Sequence, residues 1–181
     1  LQHLVTVLEE LGIQYAIGGS VASMAYSRPR TTMDADVVVA LRLGDVPRFL
    51  AHFPSSDYYV DAAAVREAVL ERTQFNIIHI SSGYKLDIYL PDSFIDRQQL
   101  TRSRRMPALE GYIASFSPPE ELIIKKLEAY SQGGSEKHVT DLAVMLQSSP
   151  QHIDVGRVEE LVRSEGLTRE WEAVQKRLKD G

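Results

Sequence analysis

Apolar residues recur along this chain at two spacings, one typical of helices and one typical of strands. Up to Ser117, helix-like and strand-like periods alternate, whereas from Pro118 onward the period is helical throughout. The pattern predicts helices at 2–11, 20–27, 44–53 and 61–71 and strands at 14–17, 35–41, 74–81, 84–90, 108–110 and 112–116. Further helices are predicted at 118–131, 136–148, 154–165 and 168–179. We therefore expect an α/β (α+β) domain over residues 1–117 and a C-terminal helical region over residues 118–181.

A glycine turn and a pair of aspartates lie at the ends of two predicted strands. Gly18, Gly19 and Ser20 follow the first strand and begin a helix, and Asp34 and Asp36 open the next strand. Residues i and i+2 of a strand point to the same face, so the two carboxylates can bind one cation. Backbone N–H groups at the start of a helix offer a site for an anion beside it. The pattern indicates a place for both a divalent metal and a phosphate.

Asp87 adds a third carboxylate on a strand whose other positions are largely apolar. It alternates with apolar neighbours and shares a strand face with Lys85 and Tyr89. An unpaired carboxylate in the middle of a sheet costs on the order of several kcal/mol unless another group compensates it. A metal ion bound jointly with Asp34 and Asp36 would compensate it, and hard oxygen ligands of this kind suit Mg²⁺.

Composition excludes some chemistry and leaves the main question open. The chain has 181 residues, a hydrophobic content of 44% and a formal net charge of −5, so it carries no overall basic field for nucleic acid. The absence of cysteine excludes disulfides, thiolate zinc sites and a cysteine nucleophile, and it fits a reducing compartment. Without a membrane-length apolar run or a signal-peptide pattern, we expect a cytoplasmic protein with no membrane partner.

The three elements together resemble the polymerase-β-like nucleotidyltransferase superfamily over residues 13–90. The resemblance rests on Gly-Gly-Ser, a gap of thirteen residues to Asp-apolar-Asp, and a later apolar-Asp-apolar strand. It implies a mixed β-sheet flanked by helices and a C-terminal helical bundle. It further implies that Gly19 and Ser20 hold the phosphates of a nucleoside triphosphate. Asp34, Asp36 and Asp87 would then hold two Mg²⁺ ions, or Mn²⁺ in their place, for transfer of a nucleoside monophosphate to an acceptor hydroxyl.

The helical part resembles the AbiEii-like nucleotidyltransferase toxins. That group carries a lysine in a Lys-Leu-x-Ala setting on one helix and an aspartate on the next, and Lys126 and Asp141 match these positions. The resemblance implies that Lys126 is a catalytic residue that contacts substrate phosphates and that Asp141 belongs to the nucleotide site. His138 stands where the group often has another acid.

Helix periodicity also separates Lys126 from its neighbour. Lys126 falls within an apolar stripe, whereas Lys125 lines up with Glu121 and Glu128 on a face that we expect to be solvated. Two simpler readings remain open. Lys126 could extend along the helix to water, and Asp141 could pair with Lys137.

The arginines allow two readings each. Arg28 and Arg30, just before the aspartates, are either triphosphate contacts or solvated loop charges. The second group is denser and is either a solvated face or a surface for a polyanionic substrate. It comprises Arg97, Arg102, Arg104 and Arg105.

Three functions of different classes remain open. The first is a toxin-like nucleotidyltransferase that modifies a tRNA end or a protein hydroxyl, with an antitoxin protein as a possible partner. The second is a small-molecule nucleotidyltransferase of the aminoglycoside-modifying type, and the third is a catalytically silent binding protein of the same fold. The intact carboxylates disfavour the third, and the lysine helix favours the first.

Overall fold

The structure is a computed structural model that describes residues 1–27, 31–108 and 111–180. Within these residues the chain forms nine α-helices and one seven-stranded sheet. The strands are β1 (Tyr15–Ile17), β2 (Asp34–Val39), β3 (Tyr58–Tyr59), β4 (Gln74–His79), β5 (Lys85–Tyr89), β6 (Arg104–Pro107) and β7 (Ile113–Phe116). The helices are α1 (Gln2–Glu10), α2 (Gly19–Ala25), α3 (Val46–Leu50), α4 (Ala62–Glu71), α5 (Phe94–Thr101), α6 (Pro119–Gly133), α7 (Glu136–Ser148), α8 (Val155–Ser164) and α9 (Thr168–Asp180). Short 3₁₀ turns span Leu43–Asp45 and Pro150–His152.

The sheet is mixed, in the order β3-β4-β5-β2-β1-β7-β6. Strand β2 runs parallel to β5 and antiparallel to β1, and β1 runs parallel to β7. The apolar run Val37–Val39 is buried because β2 lies in the middle of the sheet with both faces covered. The mixed α+β architecture with a helical C-terminal part confirms the expected fold class.

Helix α6 connects the sheet with the C-terminal helices. It packs against α2 and α5 on one side and against α7, α8 and α9 on the other. Leu122, Ile123, Ile124 and Leu127 are therefore buried around most of its circumference. One apolar cluster continues from Leu4 through these residues into the last helix. The division into two domains at Ser117 stays a prediction.

Residues 92–105, the basic segment after β5, contain secondary structure that the sequence did not predict. Residues 94–101 form a helix that periodicity did not reveal, and Ser93 and Asp96 cap its start by reciprocal side-chain-to-backbone hydrogen bonds. The strand expected at 108–110 instead spans Arg104–Pro107, and residues 109–110 lie outside the described residues. Its arginines sit on an edge strand, where long charged side chains can reach partners on neighbouring elements. The short strand β3 was also not predicted.

Within the described ranges, we find no helix with the length and apolar character needed to cross a lipid bilayer.

Candidate functional site

Asp36 and Asp87 lie side by side in the middle of the sheet. The parallel pairing of β2 with β5 places Asp36 directly opposite Asp87 and Asp34 opposite Lys85. Neighbouring strands lie about 4.8 Å apart, so side chains of opposite residues meet on the same face. Asp87 is buried, Asp36 is half-buried, and Asp34 is exposed at the start of its strand. Asp36 and Asp87 are therefore neighbours across the two strands, and Asp34 lies at the start of β2.

The environment of Asp36 disfavours a negative charge. Burial raises the pKa of Asp36, and the nearby carboxylates of Asp87 and Asp34 raise it further by repulsion. The hydroxyl of Tyr89 and the ammonium of Lys126 partly offset this shift. A cation bound between the carboxylates would remove the repulsion, so the electrostatics of these residues suit a metal ion.

Both oxygens of Asp87 already have partners. The ammonium of Lys85 lies 2.8 Å from Oδ2, and Lys85 has a raised pKa because of this hydrogen bond. With its amide nitrogen turned toward the carboxylate, Asn76 donates to Oδ1 at 2.5 Å. The side chain of Asp34 is likewise engaged, since the Thr32 hydroxyl donates to its Oδ1. The carboxylates are held by protein groups rather than left open.

The carboxylates of Asp34, Asp36 and Asp87 have the right chemistry for Mg²⁺, but they do not form a complete coordination site. Carboxylate oxygens are the ligands that Mg²⁺ prefers. Yet no three acidic or histidine side chains of residues 1–27, 31–108 and 111–180 are grouped closely enough to hold a metal as they stand. Binding a cation therefore requires Asp34 or Asp87 to exchange a present partner for the metal.

The glycine turn lies against the carboxylate of Asp36. Gly18 precedes α2 and donates its N–H to the Asp36 carbonyl at 2.8 Å, which fixes the turn to β2. Gly19 has a φ of +54°, and a Cβ at this position would overlap the Asp36 carboxylate. Position 19 requires glycine for two reasons: its backbone is left-handed, and the carboxylate of Asp36 lies too close to leave room for a Cβ. The N–H of Gly18 is already used in its hydrogen bond to the Asp36 carbonyl, and the phosphate contacts of the turn stay a prediction.

Lys126 reaches the same region from α6. It is only 7% exposed, and its Nζ lies 3.2 Å from Oδ2 of Asp141 on α7. The prediction that Lys126 points inward is confirmed. Asp141 accepts from Lys126, a partner other than the Lys137 of the simpler reading.

A cavity of about 540 Å³ brings these elements together. Its walls come from the glycine turn, β2, the start of β4, and helices α5, α6 and α7. The predicted site residues on its walls are Gly18, Gly19, Ser20, Asp36 and Lys126. Residues that the sequence did not single out also line it, among them Tyr89, Asp96, Gln99, Lys125 and His138.

A second cavity of about 520 Å³ has none of the three carboxylates among its lining residues. Leu86 lines it, and on β5 this side chain points to the opposite face from Asp87. Its walls are largely apolar and aromatic, and none of the predicted site residues that the structure describes contributes to them. We assign the candidate site to the cavity at Asp36, because that one combines converging charges with shifted pKa values.

No protein-family model and no curated protein matches this sequence. Solved structures do match. One is a complex of ANT(2″)-Ia with adenylyl-2″-tobramycin, with 14% identity, a TM-score of 0.56 and coverage of 93% of this chain and 95% of that chain. Another is an antigenic nucleotidyltransferase-like protein from Paracoccidioides brasiliensis, with 19% identity, a TM-score of 0.55 and coverage of 95% and 93%. The lincomycin-bound lincosamide antibiotic adenylyltransferase LnuA has 10% identity, a TM-score of 0.53 and coverage of 80% and 92%.

The chain has a nucleotidyltransferase fold. At these identities the match concerns the fold alone, and it extends over nearly the whole chain in both the sheet and the helical part. The assignment of Asp34, Asp36, Asp87 and Lys126 to chemistry stays a prediction. Arg28 and Arg30, predicted to contact phosphates, lie outside the described residues.

Within the nucleotidyltransferase fold, the arginines of the basic cluster have partners in the protein itself. Arg102 donates to Glu121 at 2.6 Å, Arg104 lies 3.5 Å from Glu120, and Arg105 pairs with Glu9. Arg97 donates to the Asp92 carbonyl at 2.7 Å. Arg102 thus joins the end of α5 to α6, Arg104 joins β6 to α6, and Arg105 joins β6 to α1. A contact of this cluster with a polyanionic substrate stays a prediction.

The prediction that Lys125 pairs with Glu121 on a solvated face of α6 was wrong. Glu121 is fully buried and accepts from Arg102 and Arg157 instead. Lys125 pairs with Glu128, as its spacing predicted, and with Asp96 on α5. The sequence could not reveal these pairs, because they depend on how α5 and α8 pack against α6.

Proposed function

We propose that this protein transfers a nucleoside monophosphate from a nucleoside triphosphate to a hydroxyl of an acceptor, with pyrophosphate as the leaving group. One observation carries the proposal. Asp36 and Asp87 lie opposite each other on adjacent strands, and Asp36 faces a cavity that also contains the Gly19 turn and Lys126. Acidic side chains for a cation and donors for phosphates thus meet beside a space that a nucleotide can enter.

Each residue has a distinct part in this proposal. Ser20 and the backbone of Gly19 contact the phosphates of the bound nucleotide, with Arg28 and Arg30 as further contacts. Lys126 turns its ammonium from Asp141 toward a phosphate oxygen and stabilises the negative charge there. The carboxylate of Asp87 accepts the proton of the attacking hydroxyl. Mg²⁺ or Mn²⁺ bound by the three aspartates would supply positive charge at the attacking and leaving oxygens.

We further propose a small-molecule acceptor. A cavity of about 540 Å³ is in the size range of small-molecule binding sites. The basic cluster that could attract a nucleic acid is engaged in contacts with Glu9, Glu120 and Glu121. Among the similar folds, ANT(2″)-Ia is described as an antibiotic-resistance factor and LnuA as an antibiotic adenylyltransferase.

A toxin-like nucleotidyltransferase is the second candidate. Its acceptor would be a tRNA end or a protein hydroxyl, and its partner an antitoxin protein. The contact between Lys126 and Asp141 favours it, because these two residues carry the resemblance to the toxin group and lie together beside the cavity.

Labelling by each nucleotide in turn tests both candidates. The protein is incubated with one α-³²P-labelled nucleoside triphosphate, Mg²⁺ and a cell lysate, which is then separated into small molecules, RNA and protein. Label in the small-molecule fraction supports the first candidate, and label in RNA or protein supports the second. Asp36→Asn is the control for contaminating activity. If no fraction is labelled with any of the four nucleotides, nucleotidyl transfer is the wrong function.

A further inference from the structure

Lys85 is a positively charged side chain in direct contact with one of the three aspartates, Asp87. It lies two residues before Asp87 on β5, on the same strand face. Its ammonium is 2.8 Å from Oδ2 of Asp87, and its backbone is opposite Asp34 in the register of β2 with β5. A positive charge of this chain thus lies where the proposed function requires a metal.

The two partners differ in how well water solvates them. The side chain of Asp87 is 11% exposed, whereas that of Lys85 is 43% exposed. The carboxylate therefore depends on protein groups for compensation, and the ammonium does not. Since Asn76 donates to the other oxygen of Asp87, neither carboxylate oxygen lacks a donor. A cation that binds Asp87 through Oδ2 must displace Lys85.

We propose that Lys85 is a built-in counter-ion that competes with a divalent cation for Asp87. In the protein without metal, Lys85 neutralises part of the repulsion among Asp34, Asp36 and Asp87 and stabilises the sheet at this point. When metal enters, Lys85 leaves Oδ2 and turns into solvent on its flexible stem. Lys85 thus lowers the metal affinity of the site.

The inference rests on the proposed function in one respect only, which is that Asp87 is a metal ligand. It does not require that the protein transfers a nucleotide. Direct measurement of metal binding therefore separates its failure from a failure of the proposed function.

Mn²⁺ alone is the probe, titrated into nucleotide-free protein and followed by electron paramagnetic resonance of the free ion. Lys85→Met and Lys85→Gln should each bind Mn²⁺ about three- to fivefold more tightly than the unaltered chain, the effect of removing one paired competing charge. Lys85→Arg keeps the charge and should bind Mn²⁺ as weakly as the unaltered chain.

Lys125→Met is the matched control. Lys125 carries the same charge as Lys85, is 37% exposed and lines the cavity at Asp36, but it pairs with Asp96 and Glu128 rather than with Asp87. Lys125→Met and Lys85→Met each remove one positive charge, so a general effect of net charge on Mn²⁺ binding would appear equally in both variants. The proposal expects no gain in Mn²⁺ affinity from Lys125→Met.

Thermal unfolding gives a second readout. Without metal, Lys85→Met should melt at a lower temperature than the unaltered chain, and saturating Mn²⁺ should raise its melting temperature more. Adding Asp87→Asn to Lys85→Met should abolish the gain in affinity. The proposal would be overturned if Lys85→Met and the unaltered chain bound Mn²⁺ equally well, or if neither bound it. An equal gain in Mn²⁺ affinity in Lys125→Met would also overturn it.

Discussion

The carboxylate of Asp36 lies against the Cα of Gly19, so closely that no side chain could stand between them. Gly19 begins α2 and has a φ of +54°, while Asp36 belongs to the central strand β2. The turn proposed to hold phosphate and the carboxylate proposed to hold metal are thus in direct contact. A change in the turn must displace the carboxylate.

Gly19→Ala should therefore abolish nucleotidyl transfer and destabilise the fold. A left-handed φ costs a residue with a Cβ about 1–3 kcal/mol, and the overlap with Asp36 adds to this. Chemical denaturation and the labelling assay measure the two effects. Gly44→Ala is the control, because among the described residues no heavy atom lies within 4 Å of a Cβ added there. Wild-type turnover in Gly19→Ala would contradict the role of this contact.

Asp36→Asn should raise stability in the absence of metal while abolishing transfer. The substitution removes a half-buried charge that repels Asp87 and Asp34, a cross-strand effect of roughly 0.2–1 kcal/mol. Asp34→Asn should stabilise less, because Asp34 is exposed and its side chain accepts from Thr32. Thermal unfolding with and without Mg²⁺ measures both. A metal-free Asp36→Asn protein that is less stable than the parent would show that the charge is already compensated.

Lys126→Met should reduce kcat/KM for the nucleotide by about tenfold or more, since a charge-assisted phosphate contact is worth roughly 1.5–3 kcal/mol. It should also destabilise the fold, because it removes the partner of Asp141. Adding Asp141→Asn separates the two effects. The double variant should regain stability without regaining turnover. Recovery of both together would mean that Lys126 is structural only.

The sheet and the carboxylate pair could be predicted because their signals are local. The run Val37–Val39 marks a central strand, and the alternation around Asp87 shows which face carries the carboxylate. The same alternation placed Lys85 beside Asp87. It could not reveal that the two side chains make contact, since that depends on rotamers and on the neighbouring strand.

Helix α5 and the partners of the arginines could not be predicted, for a different reason. The helix is mostly polar, so its apolar period is weak, and its start depends on the capping by Ser93 and Asp96. Glu121 reads as a surface residue in its helix but is fully buried, because α8 brings Arg157 over it. Such pairs depend on tertiary packing between segments far apart in sequence.

The free energy of unfolding, measured by chemical denaturation, tests how much the ion pairs of the basic cluster stabilise the fold. Arg102 pairs with the fully buried Glu121, whereas Arg105 pairs with Glu9 at the surface, where both side chains are substantially exposed. Arg102→Ala should lower the free energy of unfolding by about 1–3 kcal/mol, because it removes one of the two arginines bound to a buried carboxylate. Arg105→Ala should cost at most about 1 kcal/mol, as is usual for exposed ion pairs.

Neither substitution should alter how turnover responds to salt if the acceptor is a small molecule. A nucleic-acid acceptor would instead make turnover fall steeply between about 50 and 200 mM salt, with a log–log slope set by the number of phosphates contacted. The measurement is initial rate against ionic strength for the parent, Arg102→Ala and Arg105→Ala. Because Arg105 is the more exposed and less costly to remove, it reports binding without a large loss of stability. A steep slope that Arg105→Ala flattens would favour the nucleic-acid acceptor of the toxin-like candidate.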